Sequence, residues 1–154
     1  MGKKLGENKK YIYNLIYGED KENIINTIDE IEDAKLLHII AGNYNWDNGF
    51  EIPKSIINNK YCDLGTALMI FYDADGYRVL ESREELNNLN LKQWSSFIIE
   101  IEDKILNNKF RTNEIKFIPP LTKIQIFKLK KKNPDINKLF IEESNGEFIE
   151  IPQI

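Results

Sequence analysis

The chain has 154 residues, a length at which one domain buries roughly 70% of the surface that its unfolded form exposes, and 42% hydrophobic content supplies a single core. A mean hydropathy of -0.46 and a net charge of -4 exclude wholesale disorder and the basic excess of a general nucleic-acid binder, and give no overall attraction to anionic membranes. One cysteine, Cys62, excludes an intrachain disulfide.

Residues 1–10 are polar and expected to fray. Their lysines are not followed by the apolar run that a signal peptide or membrane span needs, so the cytoplasm is the expected compartment. Tyr11 to Tyr17 is apolar and aromatic and stops at Gly18; periodicity does not decide between helix and strand. Asp20 is placed to cap a helix carrying Ile24, Ile28 and Ile31. The pattern resumes after Asp33 with Leu36, Leu37, Ile40 and Ala41, as one kinked helix or two short ones. Asn45-Trp46-Asp47-Asn48-Gly49 reads as a loop, because Asn-Gly favours a turn. Ile52 to Asn59 predicts a short helix with Pro53 in its first turn.

Asp63 is placed to cap a helix over 64–72 that buries Leu68 and Phe71, and Asp75-Gly76 ends it. Ser82 and Glu85 have the spacing of a capping box, and Asn90 with Gln93 repeats it weakly. The clearest helix follows, with Trp94, Phe97, Ile98, Ile101 and Ile105 on one face and Glu100, Glu102, Asp103 and Lys104 opposite. Glu114 to Ile118 alternates up to Pro119-Pro120, as a short strand does. Thr122 is placed to cap a helix over 123–131 whose last turn is rich in lysine. Leu139-Phe140-Ile141 and Phe148-Ile149 flank Asn145-Gly146, which suggests a hairpin; a helix ending at Gly146 is the alternative. The expected fold is therefore one mostly helical α+β domain over 1–154, with a short strand or small hairpin in the C-terminal third.

Two uncommon elements stand out. Leu37-His38-Ile39-Ile40-Ala41-Gly42-Asn43-Tyr44-Asn45-Trp46-Asp47-Asn48-Gly49 contains Asn-Trp-Asp-x-Gly, and Cys62-Asp63-Leu64-Gly65-Thr66-Ala67-Leu68 contains Cys-Asp-x-Gly-Thr-Ala. With Asp75-Gly76 beyond them, these resemble the bacterial domain-of-unknown-function 4274 family, strongly over about residues 36–80 and loosely to about 118. The resemblance implies no established reaction. Its members look like accessory genes near toxin and secretion loci, which implies an immunity-type or partner-binding role.

The residues that bear chemistry are few. His38 is the only histidine, and one imidazole with one thiol is too few for a zinc site. No cofactor is expected. Cys62 has a helix start beyond it that would favour its thiolate, and His38 is the sole candidate base for it. The competing roles are packing for both side chains. Asp47 and Asp63 each sit where a carboxylate satisfies backbone amides. Trp46 is either a core plug or a partner anchor, and we weight the core. The run Lys128 to Lys132 reads as a solvated helix end rather than a phosphate contact.

The motif residues Asn45, Trp46, Asp47, Gly49, Cys62, Asp63 and Thr66 are therefore the candidate binding set. The expected function is a non-catalytic protein-binding factor, with a protein partner such as a toxin and with neither nucleic acid nor membrane. The alternative is a small enzyme built on Cys62 and His38. The sequence leaves the oligomeric state open.

Overall fold

The computed structural model describes the backbone of residues 2–154 and the side chains of residues 9–154. Of residues 1–10, expected to fray, residues 2–10 have helical backbone and Met1 lies outside the described residues. Among the described residues there are nine α-helices, which we number α1 to α9.

Helix α1 (Gly2–Gly18) resolves the ambiguity over Tyr11 to Tyr17 in favour of a helix, with Ile12 and Leu15 turned inward. The next apolar run splits into α2 (Lys21–Glu30) and α3 (Ala34–Gly42), two helices rather than one kinked helix. The break is chemical. Asp20 accepts from the Asn23 amide at 2.9 Å, and Asp33 accepts from the Lys35 and Leu36 amides, so each helix has its own start. Asn59 seals the break, donating through Nδ2 to the carbonyls of Ile28 and Ile31 at 2.8 and 2.9 Å.

Helices α4 (Glu51–Asn58) and α5 (Leu64–Asp73) follow. Helix α5 is the centre of the molecule, with Leu64 to Leu68, Ile70 and Phe71 all buried. It packs between α3 and α7 (Lys92–Leu106), while α2 lies on α4. On α7, Trp94, Phe97, Ile98, Ile101 and Ile105 are buried as the periodicity predicts. Glu102 departs from its expected solvent face: it is buried, and Arg83 donates to its carboxylate at 2.6 Å.

The predicted Ser82–Glu85 capping box does not form. Ser82 makes no cap hydrogen bond, residues 83–87 make a 3-10 turn, and Glu85 is held by Arg78 at 2.7 Å. The short α6 (Tyr77–Glu81) precedes that turn. Helix α7 likewise starts without a side-chain cap, so Asn90 and Gln93 do not form one either. By contrast α8 (Lys123–Lys132) starts with a complete box, in which Thr122 and Gln125 exchange hydrogen bonds.

The C-terminal third corrects the strand and hairpin expectation. Leu139-Phe140-Ile141 belongs to α9 (Lys138–Ile141), started by Asn137, and a helix running on to Gly146 is excluded too. Among the described residues no strand forms. One isolated parallel bridge joins Ile115 to Glu147, with Lys116 N–H donating to the Glu147 carbonyl and Glu147 N–H to the Glu114 carbonyl. The physical reason is that the amides of Glu114 and Ile115, which a sheet would have used, are already donated to Asp63. Gly146, at φ 140°, lies where an added Cβ would meet the Glu114 carbonyl oxygen at 2.7 Å, so this crossing needs glycine.

Candidate functional site

Asp63 is fully buried, and four donors converge on its carboxylate. Gly65 N–H donates to Oδ2 at 2.8 Å, as a helix cap should. Ile115 N–H also reaches Oδ2, at 3.1 Å, while Glu114 N–H and the Thr112 hydroxyl each reach Oδ1 at 2.7 Å. One side chain thus starts α5 and pins a segment about fifty residues away. A buried carboxylate is tolerated when it is so completely hydrogen-bonded.

The residues beside it serve the same junction. A Cβ on Gly65 would lie 2.1 Å from the Ile115 carbonyl oxygen, so only glycine lets segment 112–115 come this close. Thr66 is fully buried and shares a 2.9 Å hydrogen bond with His38 Nδ1, tying α5 to α3. Cys62 is buried, with its Sγ 3.7 Å from the Asp63 carbonyl oxygen. Burial, and then the charge of Asp63, push its thiol far above the ordinary value. The second motif is consumed in packing and hydrogen bonding.

The arrangement needed for Cys–His chemistry is not assembled. His38 spends its Nδ1 on Thr66, and among the described residues no hydrogen bond joins it to Cys62. A nucleophilic cysteine needs an accessible thiolate stabilised by neighbouring positive charge. Cys62 has burial and a carboxylate instead.

Burial lowers the pKa of His38 to about 4, only partly offset by the charge of Asp63. The folded state therefore resists a proton that the unfolded chain takes up below about 6.5. The unfolded state binds more protons between these values, so stability is full above pH 6.5 and falls as pH drops toward 4, by about 3 kcal/mol. Asp73 runs the other way. Its carboxyl is raised from 3.8 to about 6 by desolvation, so it adds stability as pH falls through that window. Its side chain is exposed by area, so water screens its contribution and His38 sets the net slope. Urea titrations from pH 4 to 7 should show the slope flattened in His38→Gln and steepened in Asp73→Asn. An unchanged slope in His38→Gln would contradict this.

The first motif is used differently. Asn45 makes a local turn, its Oδ1 accepting from the Asp47 amide at 3.0 Å, and residues 46–48 form a 3-10 turn. Gly49 has φ 91°, the left-handed backbone that the Asn-Gly pair predicts. The Tyr44 hydroxyl donates to the Gly49 carbonyl at 2.5 Å, bracing the loop from inside. Trp46 is half-buried, edge-on to Tyr44, Phe50 and Phe97 at centroid distances of 5.2 to 6.1 Å. It is neither fully a core plug nor fully free. Asn45 and Asp47 are exposed, and among the described residues no side chain pairs with the Asp47 carboxylate. Hollows of about 460 and 330 Å³ open on the two sides of the loop, one lined by Tyr44, Asp47 and Asn48 and the other by Phe50 and Phe97.

The structure does not bring the two motifs together. Among the described residues no hydrogen bond or ion pair links Asn45 to Gly49 with Cys62, Asp63 or Thr66. Residues 32–106 match the model of a family described as Domain of unknown function (DUF4274). Over that segment the chain is similar to the DUF4274 family. No curated protein and no solved structure matches the chain. The DUF4274 match spans α3 to α7, yet three of the four donors to Asp63 lie beyond it, at Thr112, Glu114 and Ile115. The DUF4274 segment is therefore closed by chain that follows it.

A groove of about 350 Å³ at that closure was not foreseen from the sequence. His38, Met69 and Asp73 line it on the DUF4274 side, and Phe117, Ile118 and Phe148 on the other. Its walls come from segments far apart in the chain, joined at the Asp63 junction and by contacts such as the stacking of Tyr72 on Phe117, so no local pattern could announce it. Among the described residues no group of three or more His, Cys, Asp or Glu side chains has metal-site geometry, and no helix is long and apolar enough to cross a membrane.

Proposed function

We propose that this protein is a non-catalytic accessory or immunity-type factor that recognises a protein partner through the Tyr44–Phe50 loop. One observation carries the reading: the loop motif leaves Asn45 and Asp47 in solvent on a braced turn, while the residues of the other motif are buried. A rigid turn loses little entropy on docking, and a tryptophan partly exposed on it is the sort of aromatic anchor that dominates interfaces. The unpaired Asp47 carboxylate favours a partner whose matching surface is basic.

The test is co-purification with the protein encoded by the adjacent gene, followed by affinity measurements. Trp46→Ala with Asp47→Lys should weaken binding by at least about 30-fold, the scale of an interface hot spot. Cys62→Ala should bind as the unmodified chain does. Repeated recovery without a protein partner, or a loop variant that binds unimpaired, contradicts the proposal. Loss of binding in a folded Cys62→Ala variant would return attention to the cysteine.

A further inference from the structure

Helix α8 is held to the body by one side and turns an unusual surface outward. Leu129 is buried, and Gln125 and Ile126 are half-buried beside it. At 100° per residue, Ile124, Phe127 and Lys131 lie within about 60° of arc on the opposite side. Ile124 and Phe127 are 67% and 66% exposed, large apolar side chains left in water. Lys123 and Lys130 flank them on one edge, and Lys128 and Lys132 on the other.

The helix has no acidic residue. Among the described residues none of its five lysines forms an ion pair, whereas Lys21, Lys35, Lys54 and Lys116 all do. The unanswered charge and the unburied apolar pair occupy one convex strip.

We propose that this strip is a peripheral contact for an anionic lipid surface, with Phe127 and Ile124 entering the headgroup region and the lysines meeting lipid phosphates. Charge complementarity identifies the occupant. Lysine is depleted at protein–protein interfaces, whereas clustered lysines around an aromatic are what anionic leaflets attract. The net charge of -4 does not oppose this, because at physiological salt charges more than about 8 Å away are largely screened. The inference is independent of the role proposed for the Tyr44–Phe50 loop.

The test is co-sedimentation of the full chain with vesicles of phosphatidylcholine containing one-third phosphatidylglycerol, against vesicles of phosphatidylcholine alone. Binding should appear only with the anionic vesicles and weaken as salt is raised. Lys128→Glu with Lys131→Glu should reduce it at least tenfold, while Lys92→Glu with Lys109→Glu, which changes the net charge equally at exposed positions elsewhere, should leave it within twofold. Phe127→Ser with Ile124→Ser should also weaken binding severalfold, with circular dichroism unchanged. Equal losses in the two charge variants, or no binding to anionic vesicles at low salt, overturns the proposal. Saturable binding to soluble polyglutamate without vesicle binding overturns it in favour of an acidic protein face.

Discussion

Replacing Asp63 by alanine is expected to lower the unfolding free energy by about 3–5 kcal/mol, the range reached when a buried hydrogen-bond network is broken. Two losses combine. The first turn of α5 loses its cap, worth roughly 1 kcal/mol. The amides of Glu114 and Ile115 and the Thr112 hydroxyl then lose their shared carboxylate acceptor, which is itself fully buried. Asp63→Asn keeps the shape but sets an NH₂ group against donors, so it should recover little of the loss. Urea denaturation followed by circular dichroism measures both, as a shift in midpoint at constant slope. Thr112→Val removes one donor and its own need together, and should cost only about 1 kcal/mol.

Gly65→Ala is expected to cost about 3 kcal/mol or more, although the same change in an ordinary helix interior stabilises by about 1 kcal/mol. The reversal follows from the position of its Cβ, 2.1 Å from the Ile115 carbonyl oxygen. That atom is backbone and cannot swing aside. It sits on a segment held by three hydrogen bonds to Asp63 and by the crossing with Glu147. Relief requires segment 112–115 to withdraw, which stretches the same bonds that Asp63 makes. The two substitutions are therefore coupled, and adding Gly65→Ala to Asp63→Ala should cost less than the sum of the single changes. Strict additivity in that double-mutant cycle would show that the close approach and the carboxylate act separately.

Local chemistry was the legible part of this protein. Asp20, Asp63 and Thr122 stand before helices and do cap them, because a cap needs only residues within one turn. The face of α7 was readable for the same reason, since its burial follows the helical period. The expectations failed where a distant residue took over a donor. Glu114 to Ile118 has the alternation of a strand, but the amides of Glu114 and Ile115 go to Asp63, some fifty positions earlier, and that of Phe117 goes to Ser144 Oγ. Glu85 has the spacing of a capping box, but Arg78 claims its carboxylate. Glu102 looks solvent-facing in the helical pattern, yet it is buried and takes a hydrogen bond from the exposed Arg83.

The candidate site was legible as two motifs but not in their division of labour. Asn45, Trp46, Asp47, Gly49, Cys62, Asp63 and Thr66 are similar in kind, polar or aromatic residues beside turns and helix starts. Only three-dimensional placement separates the buried Asp63 from the exposed Asp47. Both carboxylates stand at the start of a helical turn, and nothing within a few residues of Asp63 reveals that Thr112 and Ile115 will come to meet it.

That contrast gives the most direct test, a comparison of Asp47→Ala and Asp63→Ala by urea denaturation in one buffer. If one motif is displayed and the other holds the fold closed, the change at Asp47 should stay within about 0.5 kcal/mol of the unmodified chain, while the change at Asp63 moves the midpoint far downward. Equal effects at the two aspartates would contradict that division.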